Sequence, residues 1–135
     1  MTGGTGATAK GSCLCGSVRY EVRAELRPVT FCHCSQCRKQ TGLYYAATSA
    51  PADAVTIEGH DRLRWFQASE KAERGFCGTC GSALFWRPKG GAVLSILAGS
   101  INKGHVPKAR KHIFVADAAD WYDIADGLPT LPQSN

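Results

Sequence analysis

No stretch of this sequence approaches the roughly 18 consecutive apolar residues that a membrane-spanning helix requires. The best candidate, Ala92 to Ala98, is short and has Ser95 inside it. No internal repeat of roughly 20 to 50 residues and no heptad pattern is present, so solenoids and coiled coils are excluded. Acidic residues are scarce around the cysteines: Glu73 is the nearest carboxylate to Cys77, and none stands beside the other groups. A hydrolase that uses zinc-bound water would therefore lack an evident general base. Residues 1–10 contain three glycines and no apolar run of the kind a secretory signal needs. They are expected to form a flexible tail on a cytoplasmic protein.

What is present suits one domain. The chain has 135 residues, with 44% hydrophobic, 20% charged and 9% aromatic, and compact domains cluster at about 100 to 150 residues. Seven cysteines are the informative excess. A reducing compartment disfavours structural disulfides, and an odd number cannot pair off completely, so metal is the leading explanation. The formal charge of +5 would alone suggest an anionic partner. Seven thiolates on two zinc ions would bring it to +2, because zinc ligands are deprotonated and each ion returns two charges. This argues against nucleic acid as the partner.

The pattern along the chain is one of short strands. Val18, Tyr20 and Val22 alternate with Arg19, Glu21 and Arg23, the period of two expected of a strand with one wet face. Further strands are expected over Val29 to Cys34, Leu43 to Thr48, Val55 to Glu58, Leu63 to Gln67, Ser82 to Arg87, Val93 to Ala98 and His112 to Ala116. Turn signals separate them, including Pro51 with Asp53, Gly59 with Asp61, Pro88 to Gly91 and Gly99 to Gly104. Helix signals are thin. Ser35 to Gln40 predicts about one turn after a serine N-cap, stopped by Gly42, and Ala118 to Ile124 predicts another. The segment from Gly127, with Pro129 and Pro132, is expected to be extended and poorly ordered at its end.

The cysteines form three groups: Cys13 and Cys15; Cys32, Cys34 and Cys37; and Cys77 and Cys80. Residues i and i+2 of a strand project from one face, so each CxC pair can offer two thiolates to one ion. Cys77-Gly-Thr-Cys80-Gly is a tight knuckle whose glycines leave backbone N–H groups free to donate to sulfur. Seven ligands divide naturally into four for a closed structural zinc and three for an ion with an open position. Cys32, Cys34 and Cys37 can fill the three-ligand site from one segment, which leaves Cys13, Cys15, Cys77 and Cys80 for the closed one. A mixed assignment, with Cys37 joining a distant pair, stays open on spacing alone. Strand alternation turns His33 away from the ion of its neighbours. His60 sits in a turn, His105 follows Gly104 and His112 begins an apolar strand; each is a candidate outer donor, more ordinarily solvated or packed. The aromatic pairs Trp65 with Phe66, Phe85 with Trp86, and Trp121 with Tyr122 read as core rather than as base-stacking platforms.

Three segments carry a resemblance: Gly11-Ser-Cys-Leu-Cys-Gly-Ser-Val-Arg-Tyr20; Phe31-Cys-His-Cys-Ser-Gln-Cys-Arg-Lys39 with Thr41-Gly42; and Phe76-Cys-Gly-Thr-Cys-Gly-Ser82. Together with His112 to Val115 and Trp121, they resemble the glutathione-dependent formaldehyde-activating enzyme family, also called the GFA or CENP-V domain. The likeness spans residues 11–126, with tails at 1–10 and 127–135. It implies a single all-β domain with minor short helices, of the Mss4-like (β-tent) kind, holding two zinc ions per chain. Cys13, Cys15, Cys77 and Cys80 match the structural ligands; Cys32, Cys34 and Cys37 match the ligands of the catalytic ion.

The activity implied is that of a carbon–sulfur lyase, the reversible addition of glutathione or another small thiol to formaldehyde or a related aldehyde. The alternative is a non-catalytic zinc module that contacts a protein or chromatin partner, with Lys108, Arg110 and Lys111 as its positive charge. An anionic thiol needs cations beyond the metal. Arg38, attached to the Cys37 segment, is the sequence candidate for gripping its carboxylate, because a planar guanidinium can donate two hydrogen bonds.

Overall fold

The computed structural model describes residues 6–134, so the first part of the expected N-terminal tail lies outside the described residues. Eleven strands and one helix are found among these residues. They are β1 (Ala9–Ser12), β2 (Arg19–Val22), β3 (Thr30–Cys32), α1 (Ser35–Thr41), β4 (Tyr45–Pro51), β5 (Val55–Glu58), β6 (Leu63–Phe66), β7 (Ala72–Cys77), β8 (Ala83–Pro88), β9 (Val93–Leu97), β10 (Ile101–Gly104) and β11 (Lys111–Ile113). The fold is all-β, consistent with the Mss4-like arrangement, and no helix is long and apolar enough to cross a membrane.

Two sheets carry the structure. A four-stranded sheet runs β10-β1-β2-β5, and a seven-stranded sheet runs β11-β3-β4-β9-β8-β7-β6. All neighbours are antiparallel except β11, which lies parallel to β3 with His112 opposite Phe31. The main core joins the sheets: Val18, Tyr20 and Val22 meet Leu63, Phe85, Leu94 and Ile96. Cys13 and Cys77 belong to this cluster. A bulge helps to fill it. Gly75 pairs with Phe85 but Phe76 pairs with Ala83, which leaves Leu84 as an extra residue, and Leu84 and Phe85 are both fully buried. Gly75 is required here because a Cβ would stand 2.9 Å from the Trp65 ring.

The opposite face of the large sheet serves a second, smaller cluster. Cys37, Tyr45 and Ala47 are buried there, with Cys32, Cys34 and Trp86 packed against them. Alternation along β4 sends Tyr45 and Ala47 to this side and Ala50 to the main core. The helix α1 lies over it and ends at Gly42, which takes φ 94° as a left-handed cap and donates its N–H to the Arg38 carbonyl.

Several expectations meet a different structure. The helix N-cap is Cys34 rather than Ser35, its Sγ accepting from the Cys37 N–H. No helix forms over 118–124. Trp121 and Tyr122 are exposed and meet only edge to face, so these rings are not buried against the core. The last strand stops at Ile113 instead of Ala116, because Phe114 adopts φ 57° and leads into a 3-10 turn at Val115–Asp117. Strand β1 takes Ala9 and Lys10 into the small sheet, and β7 and β10 add strands where no alternation marked them. The C-terminal segment is extended but fastened. Pro129 accepts from the His112 N–H at 2.9 Å, His112 accepts from Leu131 at 2.9 Å, and Gln133 accepts from Phe114 at 3.1 Å.

Candidate metal centres and the cavity beside them

All seven thiols are free and stand in two groups, in each of which every sulfur lies within 4.8 Å of the others. Cys13, Cys15, Cys77 and Cys80 make one; Cys32, Cys34 and Cys37 make the other. The mixed assignment is not what the fold brings together. In the first group Cys13 and Cys15 sulfurs are 3.7 Å apart, and Cys15 and Cys77 sulfurs 3.8 Å apart. Thiolates placed tetrahedrally at 2.3 Å from one ion would be separated by about 3.8 Å. A disulfide would need about 2 Å. The spacing therefore fits four ligands of one metal ion and not a formed disulfide.

The polypeptide prepares that group for negative charge. Val18 N–H donates to Cys13 at 3.3 Å, and Thr79 and Cys80 N–H groups both donate to Cys77 at 3.4 Å. Ser17 and Ser82 hydroxyls lie 3.2 Å from Cys15 and Cys80. The Ser82 contact holds Cys80 well below the usual thiol range, at about 5, while burial pushes Cys13 up.

The second group comes from one short segment. Cys32 ends β3, Cys34 caps α1 and Cys37 sits in its first turn, with the Cys37 N–H donating to Cys34 at 3.3 Å. Hydrogen bonds from Cys32 and Cys37 pull Cys34 down to about 2, and Cys34 in turn pushes Cys32 far up. Three sulfurs this close do not ionise together unless a cation joins them. The donor set is one that suits zinc.

Arg74, from β7, was not singled out in the sequence, yet it is the cation at this group. Only 5% exposed, it sets Nη1 and Nη2 each 3.5 Å from Cys37 Sγ and Nη2 4.0 Å from Cys34 Sγ. The same nitrogens donate to Gln40 at 3.1 Å and Gln36 at 3.2 Å, and the guanidinium lies over the Tyr45 ring. Nothing in its local sequence marks it, because charge on a strand ordinarily faces water.

Behind the ligand segment runs a buried chain of rings. His33 and His112, both fully buried, share a 2.8 Å bond between Nε2 and Nδ1, and His112 Nε2 is 2.8 Å from Asp126 Oδ2. An ionised Asp126 only accepts, so His112 donates from Nε2, and a neutral His112 then accepts from His33 at Nδ1. His33 thus faces away from the sulfurs, as alternation predicts, and His112 is the outer partner that fixes its ring. Phe31 and Tyr44 enclose the pair.

A cavity of about 460 Å³ opens over the three cysteines, bounded by Arg27, Lys71, Arg74, Tyr45 and Trp86 among others, with no acidic side chain in its lining. Phe114 and Ser134 close one side, so the fastened C-terminal segment is part of the wall. Burial and the nearby charge of Arg110 lower the Arg27 pKa, a sign that this wall is short of negative charge. Two other concavities, of about 590 and 630 Å³, lie at the edge of the small sheet and beside Leu14 and Tyr44. Neither contains the three-cysteine group. Arg38 is outside the cavity lining; its Nε donates to the Asp117 carbonyl at 3.1 Å.

Comparison with known proteins decides the kinship. Residues 8–117 match the family described as glutathione-dependent formaldehyde-activating enzyme. This chain belongs to that family. A protein of Halomonas elongata named as a putative glutathione-dependent formaldehyde-activating enzyme is 32% identical over 125 residues, covering 85% of this chain and 80% of the relative. An uncharacterized lyase of Schizosaccharomyces pombe is 25% identical over 118 residues, covering 87% and 85%. A crystal structure of a Rhodobacter sphaeroides protein superposes with a TM-score of 0.58 at 26% identity, covering 74% of this chain and 99% of the other. All seven cysteines of this formaldehyde-activating family member lie within the matched span.

Proposed function

We propose that the chain is a zinc-dependent carbon–sulfur lyase that adds glutathione, or another small thiol, reversibly to formaldehyde or a related aldehyde. One observation carries this reading: three clustered cysteines open onto a cavity that has cations and apolar rings in its wall and no carboxylate. The names of the two relatives, a formaldehyde-activating enzyme and a lyase, support it. Cys13, Cys15, Cys77 and Cys80 would hold a structural zinc, and Cys32, Cys34 and Cys37 a catalytic one, two ions per chain. Bound there, zinc supplies Lewis acidity that acidifies a thiol or polarises a carbonyl oxygen.

The chain's own residues do the rest. Arg27 and Lys71 have no ion-pair partner among the described residues and line the cavity, so they are placed to bind the carboxylates of an anionic thiol. They are better placed for this than Arg38, whose guanidinium already serves a backbone carbonyl. Trp86, Tyr45 and Ala47 shield the sulfurs from water on the sheet side. In the forward reaction a sulfur–carbon bond forms, the carbonyl double bond opens, and the thiol proton ends on the new hydroxyl oxygen. The reverse returns thiol and aldehyde. A lining without carboxylates leaves a water-activating hydrolase without its base.

The test is exchange spectroscopy by NMR on ¹³C-formaldehyde, glutathione and zinc-loaded protein. Exchange between aldehyde and hydroxymethyl thioether above the uncatalysed rate is expected, and Cys37→Ser should abolish the increment. No increment with two ions bound would overturn the enzyme reading in favour of a non-catalytic zinc module.

A further inference from the structure

We infer that Arg74 is the resident counter-ion and positioning residue of the three-cysteine centre, and that the centre needs it to keep its zinc. The inference rests on the reading that Cys32, Cys34 and Cys37 hold the second ion. Three thiolates and one divalent zinc sum to a charge of −1, which is costly beside the buried Cys37 unless a cation is adjacent. Arg74 supplies that cation from inside the wall, and its charge brings the sum to zero. Bound zinc requires all three sulfurs as thiolates. A guanidinium at 3.5 Å from Cys37 therefore favours the loaded form.

Geometry assigns the role to arginine and not to any buried cation. Its two terminal nitrogens reach Cys37, Cys34, Gln36 and Gln40 together, four side chains of a single segment. Only a planar fork can do this, whereas a lysine offers one point charge. The contacts thus also fix α1 against β7, which sets where Cys34 and Cys37 point. Arg74 and Cys77 are three apart on β7, so alternation aims Arg74 at one centre and Cys77 at the other. The four-cysteine centre has no equivalent: its sulfurs accept from backbone N–H groups, and no arginine or lysine nitrogen bonds to them among the described residues.

The test measures zinc, not turnover. Protein loaded with two ions is titrated at neutral pH with a colorimetric chelator, and the ion of the four-cysteine centre serves as internal reference. Arg74→Met, which keeps most of the apolar stem, should weaken the second ion by about 10- to 100-fold, the usual cost of losing an outer partner of a metal ligand, and leave the first unchanged. Arg74→Lys should recover part of that loss. Should Arg74→Met fail to fold by circular dichroism, Gln40→Leu alone and combined with Gln36→Leu, at exposed positions that anchor the guanidinium, should still weaken the second ion, several-fold in the double variant, which also loses the Gln36 bond to the Ala68 carbonyl. Wild-type retention of the second ion in these variants would overturn the role of Arg74. Wild-type protein that takes only one ion would instead overturn the two-zinc reading beneath it.

Discussion

The two cysteine groups are assembled from the same side chain in different ways. The four-cysteine centre draws on segments 62 residues apart, from Cys15 to Cys77, and is rooted in the main core by Cys13 and Cys77, while Cys15 is exposed. An ion there ties the small sheet to the large one. The three-cysteine centre draws on six consecutive residues, sits on the far face of the large sheet, and opens to a cavity. An ion there ties the chain only to itself. Charge is handled differently too, by backbone amides and hydroxyls in the first centre and by a buried arginine in the second. Ligands that are distant in sequence would staple the two sheets, whereas ligands in one segment with an arginine behind them would make the replaceable, reactive site of the proposed function.

The largest expected effect breaks the first centre. Cys77→Ser should unfold the domain, since a structural zinc contributes about 10 to 16 kcal/mol in small zinc modules, as much as the whole stability of a typical domain. Circular dichroism and zinc content would check it, with loss of both ions expected. Cys37→Ser sharpens the contrast. It should leave a cooperatively melting protein with one zinc, its Tm lowered by far less than in the first variant, and abolish thiol-dependent exchange. Equal loss of melting temperature in the two variants would remove the distinction drawn between them.

A smaller effect concerns the cavity wall. Arg27→Met combined with Lys71→Met should raise the KM for glutathione by about tenfold, the value of one or two hydrogen bonds to a charged group, and leave mercaptoethanol unaffected. Arg38→Met in the same assay sharpens the assignment, with little change expected for either thiol. A selective rise for glutathione in Arg38→Met alone would return carboxylate recognition to the helix.

Much of this was legible in the sequence, and the reason is local. Cys32, Cys34 and Cys37 are near neighbours on any backbone, and a CxxC knuckle with glycines carries its geometry with it. The alternation of Val18, Tyr20 and Val22 likewise announced a strand that packs one face. Strand β7 was not legible. Its residues Arg74 and Gly75 break the alternation, because one serves a sulfur cluster and the other makes room for Trp65. Strand β10 reads as a turn, Ile101 to Gly104, and becomes a strand only because β1 lies beside it. The C-terminal residues have the composition of a loose tail, yet the backbone groups of His112 and Phe114 hold them.

The sequence by itself determined the number and local grouping of the cysteines, the all-β class and the turn positions, because each depends on residue type and short spacing. Only the tertiary structure decided which cysteines meet across the chain, which cation stands at the three-cysteine group, and which side chains wall the cavity. Arg74 and Cys37 are 37 residues apart, and Arg27, Lys71 and Phe114 come from three separate segments. Such meetings depend on sheet order and register, which arise from the packing of the whole core rather than from any stretch of residues within it.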